Sequence, residues 1–404
     1  MRLLVVAPYP PTPPFAGGRR RIFEQLRALS RSNEVDLACL TYSRSDARHL
    51  SRMPHVRRFV AIPHEPIRGD LTDSFWSPRL AAEIARMCRS GSYDWMLIEH
   101  SYAARYAEAC TPRTKLALTL HNVEYRLLEQ LAAAEERVQR VLFFCGPAGE
   151  MYRHAAAQLP AVREFEQAAW RDADLCLVVS PAEQRLVTAV TSPDRALMAP
   201  NCACVDEGRP GSAGPQRVVF IGALNYVPNV DAVMTLAADI APRVRGRLPR
   251  VDVLAAGREP HPSLVRLCRA AGVRVVANPA RICAVCNEST ILVSLLRFGA
   301  GTRIKLLDAM AVGLPVVASP LAAEGLDVED GRELLLASTV DEACDAACAL
   351  LESQDLRARL RRAGRQFLRR HRLTWPRVFA DVETRLRAAP RRPVAVRYRA
   401  TTRR

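Results

Sequence analysis

A chain of 404 residues, 49% apolar and 25% charged, is long enough for two or three buried cores and has an ordinary globular composition. No run approaches the ~20 consecutive apolar residues of a transmembrane helix, so a spanning segment is not expected. The net charge of +16 suits anionic partners, but no helix-turn-helix, zinc-finger or RRM signature accompanies it, which speaks against nucleic acid.

The opening Met1-Arg2-Leu3-Leu4-Val5-Val6-Ala7-Pro8 is too short and too soon interrupted for a signal peptide. It reads as a first buried strand, and a cytoplasmic location is expected. Short apolar runs then predict strands over 3–7, 35–41, 56–62, 95–99, 115–120, 175–179 and 196–199. Helical patterns fall between them at 19–30 and 79–90, with a long, mostly helical region over 123–173. This alternation predicts an α/β fold, a parallel sheet with helices on both faces. The Gly/Pro-rich stretch 204–215 is the best linker. Beyond it the pattern restarts, with strands over 218–221, 251–255, 273–277, 291–295, 315–318 and 333–336. A last helical pattern near 375–386 has no strand of its own. The expected organisation is a first domain over 1–200, a second over 201–374, a helix over 375–388 and a basic tail over 389–404.

Twelve cysteines are scattered, many of them in apolar runs, as Cys39, Cys176 and Cys268 are. Cys202-Ala203-Cys204 and Cys283-Ala284-Val285-Cys286 lack matching histidines, so no metal site is expected. Charge is concentrated late in the chain: eight arginines and no acid lie from Arg385 to Arg404, behind a dense arginine run over 357–372. Anionic membrane is a candidate partner for them, which would add a peripheral seat at the inner membrane.

Four segments carry chemistry. Gly299-Ala300-Gly301-Thr302-Arg303-Ile304-Lys305 opens a short helix that runs through Asp308 to Gly313-Leu314-Pro315. Free N–H groups and the helix dipole at such a glycine loop suit a phosphate. Arg303 and Lys305 add positive charge, and Asp308 is placed to accept from sugar hydroxyls. Lys305 is one of only two lysines among 58 basic residues, and a flexible point charge suits a phosphate. Gly17-Gly18, after the first strand, is a second helix N-terminus that lets a ligand approach closely. His121, in His121-Asn122-Val123-Glu124, stands just past a strand end. Phe220-Ile221-Gly222, followed by Asn225 and then Tyr226-Val227-Pro228-Asn229-Val230-Asp231, is a strand, a glycine turn and a helix start. Ligands of parallel sheets bind beyond the strands' carboxyl ends, so a site is expected in a cleft between the two domains.

Together with Pro200-Asn201 and Thr374-Trp375, these segments resemble a family-4 retaining glycosyltransferase, nearly end to end. The sub-type with Gly-x-Gly-Thr-Arg-Ile-Lys, often found in exopolysaccharide sugar transferases, matches best. The resemblance implies a GT-B fold: two facing Rossmann-like domains and a C-terminal helix crossing back to the first. It also implies transfer of a sugar from a nucleotide-sugar donor to an acceptor glycan or lipid-linked sugar, with anomeric retention, no metal and no cofactor. The donor phosphate itself would take the acceptor proton. Residues Gly299, Ala300, Gly301 and Thr302, with Arg303 and Lys305, would neutralise the leaving diphosphate. Asp308 would hold the ribose. Gly222, Asn225 and Asn229 would line the donor pocket, with Gly17 and Gly18 on the other side. His121 would orient the transferred sugar, and the 123–173 region would read the acceptor.

The chain departs from the family pattern in places. Ala300 stands where the first of two glutamates is usual, and the shorter Asp308 where the second is. Asn225 and Asn229 stand in a loop that commonly carries Arg and Lys. Asn201-Cys202-Ala203-Cys204-Val205-Asp206 replaces the usual Asn-Gly-Val-Asp. Two alternatives follow. One is a catalytically degenerate binding protein with the same fold. The other is a nucleotide-sugar epimerase, which the local motifs match less well.

Overall fold

The computed structural model describes residues 1–12, 17–65, 71–111, 113–203, 210–211 and 214–389. The basic tail beyond 389 and most of the linker residues 204–209 and 212–213 lie outside the described residues. Internal contacts divide the chain into two compact units. The first holds residues 1–129, 154–200 and 375 onward; the second holds 130–153 and 201–374.

The first unit is built on seven strands: β1 (Arg2–Ala7), β2 (Glu34–Thr41), β3 (Arg58–Pro63), β4 (Trp95–Glu99), β5 (Lys115–Thr119), β6 (Leu175–Val178) and β7 (Ala196–Met198). They form one parallel sheet in the order β3-β2-β1-β4-β5-β6-β7. Strands β1 and β4 are apolar almost throughout because helices cover both faces. The winding leaves β1 in one direction and resumes beside it at β4. The carboxyl ends of β1, β4 and β5 therefore open onto one crevice.

The second unit repeats the scheme with β8 (Arg217–Ala223), β9 (Asp252–Arg258), β10 (Arg274–Ala277), β11 (Thr290–Ser294), β12 (Val316–Ala318) and β13 (Leu335–Leu336). Their order is β10-β9-β8-β11-β12-β13, again parallel. Here the crevice lies beyond β8 and β11. β9 approaches β8 so closely at Gly257 that a β-carbon there would strike the Gly222 carbonyl oxygen.

The last helix, Trp375–Ala388, packs on helix Gly17–Leu29 within the first unit. Its Trp375, Phe379, Val382 and Leu386 recur at helical spacing and are all buried. The Trp95 indole donates to the Leu386 carbonyl at 3.1 Å. Lys115 donates to Ala389 O at 2.5 Å, a cation at a helix C-terminus where the dipole favours it. One of the chain's two lysines is thus structural.

The region 123–173 is mostly helical, as expected, but not all of it belongs to the first unit. It comprises helices Glu124–Ala133, Glu135–Cys145 and Ala155–Asp172 with a 3₁₀ segment Gly146–Tyr152 between the last two. Residues 130–153 pack in the second unit. Helix Glu135–Cys145 buries Val138, Val141, Leu142 and Cys145 there, and the fully buried Asp231 holds Arg137 at 2.5 Å and Arg297 at 2.9 Å. A second tie joins Gln130 to Gly299, with both backbone groups of Gly299 engaged by the Gln130 amide. Cys283 lies on a single 3₁₀ turn, Ile282–Val285.

Candidate functional site

In the second unit the loop before helix Ile304–Val312 is shaped by two positive-φ glycines, Gly299 at 143° and Gly301 at 73°. Only glycine adopts the first of these without strain. Asn201 donates to Thr302 O at 3.2 Å and to Thr302 Oγ1 at 2.9 Å, fixing the end of the loop. Arg303, the N-cap residue, forms no side-chain cap. Its guanidinium turns back on the loop, donating to the carbonyls of Ala300 and of Gly301, the latter at 2.6 Å. It thereby braces the turn.

Lys305 is the second residue of the helix and reaches across to the carboxyl end of β8. Its Nζ donates to Asn229 Oδ1 at 2.5 Å and lies 4.3 Å from the centre of the Phe220 ring. A β-carbon at Gly222 would stand 3.0 Å from that Nζ, so Gly222 makes the room. Asn229 is held in turn by Ala223 O at 2.9 Å. Burial, followed by the like charge of Arg303, holds the Lys305 amine well below the ordinary lysine value. Asn225 is turned outward to Glu259 at 2.7 Å. Asp308 is buried on the same helix. The structure thus brings Gly222, Asn229, Lys305 and the Gly299–Thr302 turn together, with Asn225 at the margin.

In the first unit, helix Gly17–Leu29 starts at Gly17, whose φ is 47°. A β-carbon at Gly18 would overlap the Tyr9 hydroxyl and stand 3.0 Å from His121 Nδ1. Gly17, Gly18 and His121 are therefore adjacent. The other edge of His121 meets Glu99, the last residue of β4, with Nε2 at 2.7 Å from Oε2. The His121 ring stacks on His100 with centroids 3.8 Å apart and planes 19° apart. His100 occupies a left-handed backbone (φ 70°) and hydrogen-bonds Tyr9 through Nε2. A non-glycine residue in that region is rare and clusters at functional sites.

Sequence reasoning passed over Glu99, His100, Tyr9 and Gln130. Glu99 carried a signal: it is a carboxylate closing an otherwise apolar strand, Trp95-Met96-Leu97-Ile98-Glu99.

Behind this cluster lie two further buried acids. Glu166 accepts from Ser101 Oγ at 2.6 Å and from the Tyr125 and Glu124 amides, so it caps helix Glu124–Ala133 from a distance. Glu124 Oε2 is buried and makes no hydrogen bond. Burial and then the Glu166 charge push Glu124 up to about 8, and burial pushes Glu166 to about 7. Folded-state values above the unfolded ones mean that the folded protein binds protons more tightly. The stability they contribute is present below about pH 4.5 and is lost as pH rises toward about 8. Glu124→Gln removes the larger part of this penalty. The variant should melt at or near the wild-type temperature at pH 5 and about 5 °C above it at pH 8.5. Parallel melting curves at the two pH values check the difference.

The fold and these two crevices define a class. The chain is a GT-B protein of two Rossmann-like units, and solved structures share its architecture end to end. Sucrose-phosphate synthase from Thermosynechococcus elongatus superposes with a TM-score of 0.72 at 15% identity, over 96% of this chain and 98% of that one. HepE (Alr3699) of Anabaena, solved with UDP and glucose, gives 0.67 at 14%, over 96% and 100%. A TarM variant from S. aureus, solved with fondaparinux, alpha-GlcNAc-glycerol and UDP, gives 0.70 at 8%, over 96% and 100%. Within the second unit, residues 215–353 match the family model described as "Glycosyl transferases group 1". No curated protein sequence matches the chain.

Proposed function

We propose that this protein transfers a sugar from a nucleotide-sugar donor to an acceptor hydroxyl with retention, in polysaccharide or glycoconjugate synthesis. The observation that carries this reading is the position of Lys305. Asn225 and Asn229 leave the segment after β8 without a cation of its own, and Lys305 reaches it from helix Ile304–Val312, after β11, hydrogen-bonded to Asn229. The Lys305 amine, the turn at 299–302 and an uncapped helix start stand together, an arrangement that fits a diphosphate, whose charge favours the ammonium form of Lys305. As the bond from the sugar anomeric carbon to the phosphate oxygen breaks, charge grows on the leaving diphosphate. Lys305 and the loop amides after Gly299, whose own N–H is taken by Gln130, meet that charge as it develops. The acceptor oxygen bonds the same carbon, and its proton passes to the departing phosphate. His121, beside Gly17 and Gly18, orients the sugar. Asp308 holds the ribose.

HepE and TarM were solved with UDP, which makes UDP-sugars the first donors to try. Incubation with a panel of UDP-, GDP- and ADP-sugars should release the nucleoside diphosphate from at least one. No binding and no turnover of any of them would favour the degenerate binding protein.

We also propose peripheral contact with anionic membrane through the basic C-terminal region. Among the described residues no helix is long and apolar enough to cross a membrane. Flotation with phosphatidylserine vesicles should separate the full chain from one ending at residue 389. That truncation spares helix Trp375–Ala388, whose aromatic face belongs to the first unit's core. Equal flotation would remove the idea.

A further inference from the structure

Glu99 is wholly buried, and its two oxygens have different partners. Gln25 donates to Oε1 at 2.5 Å, and His121 Nε2 lies 2.7 Å from Oε2. His100 covers one face of the His121 ring. The ring is therefore fixed in plane and in edge, with Nδ1 turned toward the helix start at Gly18. We propose that Glu99 is the positioning residue of His121, and that its protonation decides whether Nδ1 donates to or accepts from an oxygen of a bound sugar or phosphate. This deepens the glycosyl-transfer reading and rests on it for the identity of the ligand.

The chemistry follows from counting protons. An ionised Glu99 only accepts, so a neutral His121 must carry its hydrogen on Nε2, and Nδ1 becomes an acceptor. A protonated Glu99 donates to Nε2. The ring hydrogen then sits on Nδ1, which becomes a donor. One proton on a residue that never touches the ligand reverses the polarity of the atom that does.

The groups facing Glu99 are Arg21 and Gln25 from helix Gly17–Leu29, Thr119 at the end of β5, and His121. His100, the next residue, bonds Tyr9 instead. Burial pushes Glu99 up to about 7 against the pull of Arg21. Burial and Arg21 hold His121 well below the usual histidine value, so its ring stays neutral in both states. The reversal thus falls in the neutral range.

Gln25 also predicts how a variant behaves. In Glu99→Gln the amide oxygen stays with the Gln25 donor, and the NH₂ group faces His121 Nε2. That locks hydrogen on Nδ1 at every pH. Glu99→Ala removes the restraint altogether.

The test uses the full chain labelled with ¹⁵N-histidine. Long-range ¹H–¹⁵N spectra report the tautomer of each imidazole, and the signals missing in His121→Gln assign His121. Wild-type His121 should pass from hydrogen on Nδ1 to hydrogen on Nε2 as pH rises through about 7. Glu99→Gln should keep hydrogen on Nδ1 from pH 5.5 to 8.5. A wild-type ring that holds one tautomer throughout, or a variant that titrates like wild type, overturns the proposal.

Calorimetric titration with UDP-glucose is the second arm. Wild-type affinity should change at least threefold between pH 6 and pH 8.5. Glu99→Gln should lose the Glu99-linked part of that change, leaving only the dependence that Lys305 supplies, and Glu99→Ala should lose about tenfold. A purely structural role would lower affinity equally at all pH values and would count against the proposal. Absence of UDP-glucose binding in wild type would instead fail the donor reading, while the spectra still decide the role of Glu99.

Discussion

Lys305→Ala is expected to weaken UDP-glucose binding about 100-fold, equivalent to about 2.7 kcal/mol. The amine is the cation at the end of β8, set by Asn229 and the Phe220 ring. Charge-assisted contacts to a diphosphate contribute about 1.5–3 kcal/mol each. The second unit should remain folded, because removing an amine that burial already penalises releases a cost as well as a contact. Lys305→Arg should not rescue binding, since a planar fork does not fit the space between Phe220 and Asn229. The lowered amine value adds a second readout. A bound diphosphate favours the charged form, so binding should take up protons at any pH where the free amine is neutral. Titration calorimetry in two buffers of different ionisation enthalpy measures that uptake, and Lys305→Ala should abolish it. Unchanged affinity in the alanine variant would remove Lys305 from the donor site.

Asp231→Ala is expected to destabilise the second unit by about 2–3 kcal/mol. Breaking a buried ion pair from one side costs about 3–5 kcal/mol, because the partner charges lose their counterion. Here the carboxylate is fully buried, but Arg137 and Arg297 keep about a third of their side-chain surface exposed. Water recovers part of the loss. The urea midpoint of the second unit should fall accordingly. Limited proteolysis should also cut within 130–153 faster than in wild type, since Arg137 is the main polar tie of that segment. An unchanged cleavage rate would show that apolar packing and the Gln130 bonds to Gly299 hold it without Arg137.

Much of the fold is legible in the linear chain. Each of the thirteen strands among the described residues overlaps a short apolar run, with ends within three residues of those expected. The loop at 299–302 is visible because two glycines precede a short helix in a chain almost devoid of lysine. A second α/β unit is legible because the alternation of strands and helices restarts after a Gly/Pro-rich break, whereas the GT-B architecture is what the family resemblance implied. The direction of Arg303 is not legible, because a loop carbonyl and a ligand phosphate compete for the same guanidinium and only the backbone path decides. Nor is the placement of 130–153, since helical periodicity says which face is apolar and not which unit covers it.

Local information sits within a few residues: side-chain alternation, turn chemistry and helix-start glycines. That determined the α/β class, the two Rossmann-like units and the two glycine loops. Tertiary structure decided which side chains meet. Lys305 and Asn229 are 76 residues apart, Glu99 and His121 are 22 apart, and Arg137 and Asp231 are 94 apart. Each pair forms because parallel pairing sets the ends of particular strands side by side, or because a helix is packed against one face rather than another. Hydrogen bonds and ion pairs act over a few ångströms, so no reading of spacing along the chain can assign them before the sheets are assembled.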